Sequence, residues 1–314
     1  MLLLTLACIA PEPAPPVTEG GYGEVLSETL VGGAADMVAS GNAVYTCMEA
    51  GGLQVWDVAD PSDPDALDLY HSGEVCRELD IIGNRVFAGT DSAFRSYSPN
   101  NMMIRGEYIT GYDVRGLTVD PSEGRAWLTG VDGGVPILEK IEYKEDADMR
   151  SIDLITLENG GVPTTLSSRP EAMFLLSEDG HIQVLSPELE PVGEWLPAEP
   201  LEEAMMSMGD TDYIYLSQGS DGLIVLDARD PENLAEVGAW QLQTTYGLIV
   251  LDGMLYVGVD DGVVVLDLTD PAAPIETGAE PIAVSGTPHR IWLDSGFGYT
   301  LDLVDGLLTI FNAE

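Results

Sequence analysis

Gly222-Leu223-Ile224-Val225-Leu226-Asp227-Ala228-Arg229-Asp230-Pro231 is an apolar run that ends in an Asp and an Asp-Pro turn, and the chain repeats it. The clearest other copies are Gly52-Leu53-Gln54-Val55-Trp56-Asp57-Val58-Ala59-Asp60-Pro61 and Gly262-Val263-Val264-Val265-Leu266-Asp267-Leu268-Thr269-Asp270-Pro271. A repeat constrains architecture before any single residue does. The residues opening these runs form a ladder: Gly52, Ser92, Gly133 or Gly134, Gly180, Gly222, Gly262 and Gly306. Their spacing of about 40 residues is that of a propeller blade.

Each unit supplies four strand-like segments. Ahead of the marked run lies a second strand, such as Ala43-Val44-Tyr45-Thr46-Cys47 or Met254-Leu255-Tyr256-Val257-Gly258. Turn pairs such as Gly41-Asn42, Gly83-Asn84 and Asp252-Gly253 precede it and supply the positive φ that a two-residue hairpin needs. An inner strand comes before the turn, as in Gly247-Leu248-Ile249-Val250-Leu251, and an outer strand follows the Asp-Pro turn, as in Ala66-Leu67-Asp68-Leu69-Tyr70. Segments such as Leu223-Ile224-Val225-Leu226 are apolar on both faces, which suits a sheet sandwiched between neighbours. Leu201 to Met208 reads as the inner strand of blade five.

The termini complete the count. The last unit stops after its third strand, Leu307-Leu308-Thr309-Ile310-Phe311, and an unassigned strand, Glu24 to Leu30, stands before blade one. That strand can serve as the outer edge of the last blade. The expected fold is all-β: a seven-bladed propeller of four-stranded antiparallel blades over residues 24–314, closed by an N-terminal outer strand.

Charge is the second strong feature. The chain of 314 residues carries 54 acidic residues against 12 basic, a net charge of −42. Soluble small domains are typically designed with a net charge of about 2–8 in magnitude. So negative a surface repels phosphate backbones and anionic lipid heads, so nucleic acid is excluded as an expected partner. High ambient salt, or an acidic face for basic partners, both fit the imbalance.

Residues 1–10, MLLLTLACIA, form a short apolar run too short to span a bilayer and without the basic start of a full signal peptide. Leu6-Ala7-Cys8 sits where a bacterial lipobox would end, with Cys8 as the lipidated residue and Thr5 where Leu is usual. Residues 11–23 are Pro- and Glu-rich and read as a tether. Together they predict an exported, lipid-anchored protein at the outer membrane, in the periplasm or on the cell surface, touching membrane only through its anchor.

The units at Leu53 to Asp57, Leu223 to Asp227 and Val263 to Asp267, each followed by Asp-Pro, resemble the LVIVD-repeat proteins. The aromatic that this family carries in the preceding strand is matched by Tyr45, Phe87, Trp127, Phe174, Tyr215 and Tyr256. Blades one, five and six match best. Blade two, around Ser92 to Tyr97, lacks the Asp-Pro pair. The resemblance implies a propeller of an exported or surface-associated bacterial or archaeal protein. It transfers no catalytic set.

Several residues are candidates for binding. Counting back from the hairpin turns aligns Ala35, Arg77, Arg115, Tyr246 and His289 at the start of the inner strands, with Asp36, Glu78 and Arg290 one register away. Arginines there could hold a carboxylate through paired donors. Glu49, Asp91, Asp132, Asp179, Asp221, Asp261 and Asp305 precede the third strands, and Asp221, Asp261 and Asp305 are the candidate Ca²⁺ ligands, against the simpler reading that each Asp caps its own turn. The recurring pairs Asp57 and Asp60, Asp227 and Asp230, and Asp267 and Asp270 are read as turn formers, because a catalytic pair need occur only once. Cys47 and Cys76 fall toward one face of adjacent blades. A disulfide and two buried thiols both remain open, with the thiols slightly preferred.

No HExxH, G-x-S-x-G or phosphate-binding glycine loop occurs in the sequence. The expected function is a non-catalytic, monomeric binding scaffold that presents a propeller face to a protein, peptide or glycan at the cell envelope. The alternative is a hydrolase or lyase, which requires Arg77, Arg115, Tyr246 and His289 to converge on one pocket at the channel mouth.

Overall fold

A computed structural model describes residues 21–314 except 50, 144–148, 158–160, 202–203, 210, 241–242 and 261. The lipidation candidate Cys8, the segment 1–10, most of the tether and the Ca²⁺ candidate Asp261 lie outside the described residues. The described chain folds as seven four-stranded antiparallel sheets arranged as the blades of a propeller. In blade one the strands run Ala34–Ser40, Ala43–Met48, Gly52–Asp57 and Asp65–Tyr70, from channel to rim. The seventh blade is built from Arg290–Asp294, Phe297–Asp302 and Leu307–Asn312, and Val25–Leu30 pairs antiparallel with its last strand. Val25–Leu30 and the last strand thus lie in one sheet, so backbone hydrogen bonds, rather than side-chain contacts alone, hold the ring at its seam.

Burial follows strand position. The third strand of blade five, Leu223–Asp227, is buried along its apolar run, and that of blade two, Ala93–Tyr97, is buried throughout. The outer strand of blade one, Asp65–Tyr70, is exposed over most of its length. Third strands are packed between neighbouring blades whether apolar on both faces, as in blade five, or carrying Arg95 and Ser96, as in blade two; each fully buried Leu or Val there contributes about 1.5–3 kcal/mol.

The marker glycines are required by the backbone. Gly52 has φ 79° and Gly262 φ 140°, and an added Cβ at either would lie 2.1 Å from a carbonyl oxygen, of Tyr70 and Ile282 respectively. Positive φ and this close approach both exclude larger residues.

The blades differ where the sequence is irregular. In blade five the inner strand expected from Leu201 to Met208 narrows to Met206–Ser207. In blade six the outer strand is only Ile275–Glu276, because Pro274, Pro281 and Pro288 punctuate the stretch leading to blade seven. Blade three has the long outer strand Arg150–Thr156, resuming after the charged insertion.

Candidate functional site

The inner strands are irregular at one recurring point. Register shifts fall between Ala34 and Asp36, Cys76 and Glu78, Val114 and Gly116, and Pro163 and Thr165. The residues skipped by the pairing are Ala35, Arg77, Arg115 and Thr164. A bulge frees one residue from the ladder and re-aims its side chain. Four successive blades thus turn the same position toward the channel mouth, and two of them place an arginine there.

Arg77, Arg115 and Arg290 line a mouth of about 260 Å³ together with Glu49, Glu78 and Glu178. Arg77 Nε lies 3.1 Å from Asp113 Oδ1, and Arg115 Nη2 lies 2.6 Å from Asp113 Oδ2. Two guanidinium groups therefore share one carboxylate, in a mouth that Glu49 and Glu178 also line. Below it, a chamber of about 200 Å³ is lined by Asp36, Glu78, Thr165, His289 and Arg290.

The chamber is a charge triad. Arg290 Nε stands 3.3 Å from Asp36 Oδ1, while Asp36 Oδ2 accepts the backbone N–H of Leu79 from the next blade at 2.8 Å. Burial raises the Asp36 pKa, and Arg290 and the Leu79 amide oppose that shift. Glu78 is held well above the ordinary carboxylate range by burial first and by the Asp36 charge second. Of the two carboxyls, Glu78 is the one held more strongly toward its protonated form, because Asp36 has the arginine and amide donors. Asp80, two residues further along the same strand, is pushed up to about 7, chiefly by burial.

The remaining candidates are dispersed. His289 lines the chamber, but its Nδ1 lies 2.9 Å from Thr287 O and 3.6 Å from Asp302 Oδ1, which ties the ring to its own blade. The Tyr246 ring meets His289 edge-on at 5.4 Å, and its hydroxyl donates to Asp260 at 2.8 Å. Arg77, Arg115, Tyr246 and His289 thus line no single one of the described cavities. Asp221 and Asp305 are exposed in loops of blades five and seven, and no group of three or more His, Cys, Asp or Glu placed to hold a metal occurs among the described residues.

The turn aspartates act locally. Asp57, Asp227 and Asp267 each accept the backbone N–H two residues on, and Asp60, Asp230 and Asp270 do the same. Cys47 and Cys76 form a disulfide between blades one and two, with Cα atoms 4.8 Å apart, where two buried thiols were slightly preferred on sequence grounds. Blade topology brings the two strands together there, which a separation of 29 residues does not reveal. Sequence reasoning missed Asp113 and Asp80. A signal for each was present: an acid two residues before Arg115, and an acid at period two from Glu78.

The LVIVD repeat family model matches residues 31–70 and 245–280, which span blades one and six. Blade five lies outside the match. No curated protein matches the sequence. Among solved structures, a chain of the mitotic checkpoint complex is similar over 99% of this chain and 98% of its own length, with TM-score 0.72 and 12% identity. The Myceliophteria thermophila Cps50 (Swd1) β-propeller domain is similar over 92% of this chain and 99% of its own, with TM-score 0.66 and 9% identity. The WD40 repeats of RRP9 are similar over 92% of this chain and 96% of theirs, with TM-score 0.69 and 11% identity. Blades one and six therefore carry the LVIVD repeat, on a ring whose fold is shared with WD40 and other β-propellers.

Proposed function

We propose that this chain is a non-catalytic scaffold whose channel-mouth face binds a protein segment presenting a carboxylate. The Arg77–Asp113–Arg115 cluster carries this reading. Both side chains remain accessible, at 28% and 42% exposure, and one carboxylate cannot satisfy the donors of two guanidinium forks. The planar fork suits bidentate recognition of a carboxylate. The acidic remainder of the molecule opposes an acidic partner at long range, so selectivity comes from short-range geometry at the mouth.

The test compares short peptides that differ only in a free or amidated C-terminus, titrated against the wild type and the Arg77→Gln/Arg115→Gln double variant. The free carboxylate should bind, and the double variant should weaken it roughly tenfold or more. Binding that ignores both amidation and the arginines overturns the reading.

The same proposal places the scaffold outside the cytoplasm, anchored through a lipid on Cys8. The Cys47–Cys76 disulfide supports it, because disulfides persist in oxidising compartments. A labelled lipid precursor should be incorporated by the wild-type protein and not by Cys8→Ala. An unlabelled wild type removes the anchor from the proposal.

A further inference from the structure

On the opposite face, where the inner hairpins turn, a cleft of about 700 Å³ opens between blades two and three. Its walls include Asn84, Arg85 and Phe87 from the blade-two hairpin, Ser122 and Glu123 from the blade-three hairpin, Arg105 from the outer strand of blade two, and Tyr143.

Arg85 has an unusual environment for a cation. Its Nη1 and Nη2 are both buried and find no hydrogen-bond partner. The guanidinium carbon lies 5.6 Å from the centre of the Tyr143 ring, which in turn packs against Phe87 at 5.1 Å. A cation–π contact with the ring leaves the Nη donors of the guanidinium unsatisfied. Buried donors without acceptors are costly, and a charged group makes them more so.

Among the described residues, Glu123 and Asp120 beside the cleft already have partners. Glu123 pairs with Arg125, and Asp120 accepts the amide and hydroxyl of Ser122 at 2.8 Å and 2.6 Å. Arg85 and Arg125 occupy the same position of adjacent hairpins, paired with Ile82 and Asp120 respectively. Of the two, Arg125 has a carboxylate at hand, and Arg85 has none among the described residues.

We propose that this cleft binds a phosphate or sulfate group, with Arg85 as the principal donor, Arg105 on the same wall, and Phe87 and Tyr143 as the surface against which the rest of a ligand packs. A tetrahedral oxyanion supplies the acceptors that Arg85 lacks, in the geometry its fork fits. The site lies on the other face from the channel mouth and is independent of the function proposed for that mouth.

The test is calorimetric titration of the full chain, in a chloride buffer, with inorganic phosphate, inorganic sulfate and phenyl phosphate. Saturable binding of at least one is expected, weakened roughly tenfold or more by Arg85→Gln and untouched by Arg229→Gln, whose arginine pairs with Asp227 in blade five. Arg85→Lys keeps the charge and loses the fork. If Arg85→Gln does not fold, binding weakened in Arg85→Lys supports the site. Tighter binding of phenyl phosphate than of either inorganic ion assigns the site to a monoester; equal affinity assigns it to the free ion. Absence of saturable binding by all three probes, or wild-type affinity in both Arg85 variants, overturns the proposal.

Discussion

Asp80 and Asp267 show how one residue type is put to opposite uses. Asp267 is half-buried and accepts the amide and hydroxyl of Thr269, and these bonds lower its pKa. A lowered carboxylate contributes stability above its unfolded pKa and loses it as pH falls through the folded value. Asp80 has the reverse sign. Its folded pKa of about 7 exceeds the ordinary value, so the folded state binds the proton more tightly. That contribution is complete below an unfolded pKa near 3.9 and is lost as pH rises toward 7. Wild-type protein should therefore melt several degrees higher at about pH 5 than at about pH 8, with the gain visibly smaller in Asp80→Asn. Identical pH profiles for the two proteins count against the assignment.

At the level of elements, neighbouring blades are latched by a few repeated contacts. Tyr45 in the second strand of blade one donates to Pro99 O in blade two at 3.2 Å, and Tyr215 of blade five donates to Pro271 O in blade six at 3.0 Å. Inner strands are joined too, in either direction: Ser207 Oγ accepts the Val250 amide at 3.2 Å, and Trp292 Nε1 donates to Ala39 O at 2.9 Å. The aromatic of the repeat is thus a link to the next blade as well as a core residue. Outer strands fit the next blade's turn closely. An added Cβ on Gly193 would lie 2.3 Å from Pro231 O, a backbone atom that cannot swing away. Gly193→Ala should cost about 1–3 kcal/mol in urea unfolding, as overpacking does. An unchanged midpoint shows that the outer edges of the blades are free to separate. These latches were partly legible in advance: the periodic aromatics and Asp-Pro turns were visible, but their pairing across blades depends on ring geometry.

The whole molecule is electrostatically lopsided. Nine of its 12 basic residues fall between Arg77 and Arg150, in blades two and three, while the net charge of the chain is −42. The mouth cluster and the Arg85 cleft both draw on this sector, so any anionic ligand meets its least repulsive surface there. Self-repulsion among the remaining acids destabilises the compact state and is screened over about 10 Å at 0.1 M salt. Melting temperature should rise by several degrees between about 0.01 M and 1 M NaCl, with most of the gain at the low end. A flat profile means that local hydrogen bonds, such as those of the turn aspartates, have already absorbed the charge.

Strand number and blade number follow from local chemistry: apolar runs, turn glycines and Asp-Pro pairs act within about 40 residues, so they can be read along the chain, and the closing strand is legible only as the one left over by that count. The site follows from other physics. Whether Arg77 and Arg115 share Asp113, whether Cys47 meets Cys76, and whether Arg85 finds an acceptor all depend on which strands of adjacent blades become neighbours. A bulge decides where a side chain points, and burial decides what its charge costs. Both are products of packing between blades, and tertiary structure alone specifies them.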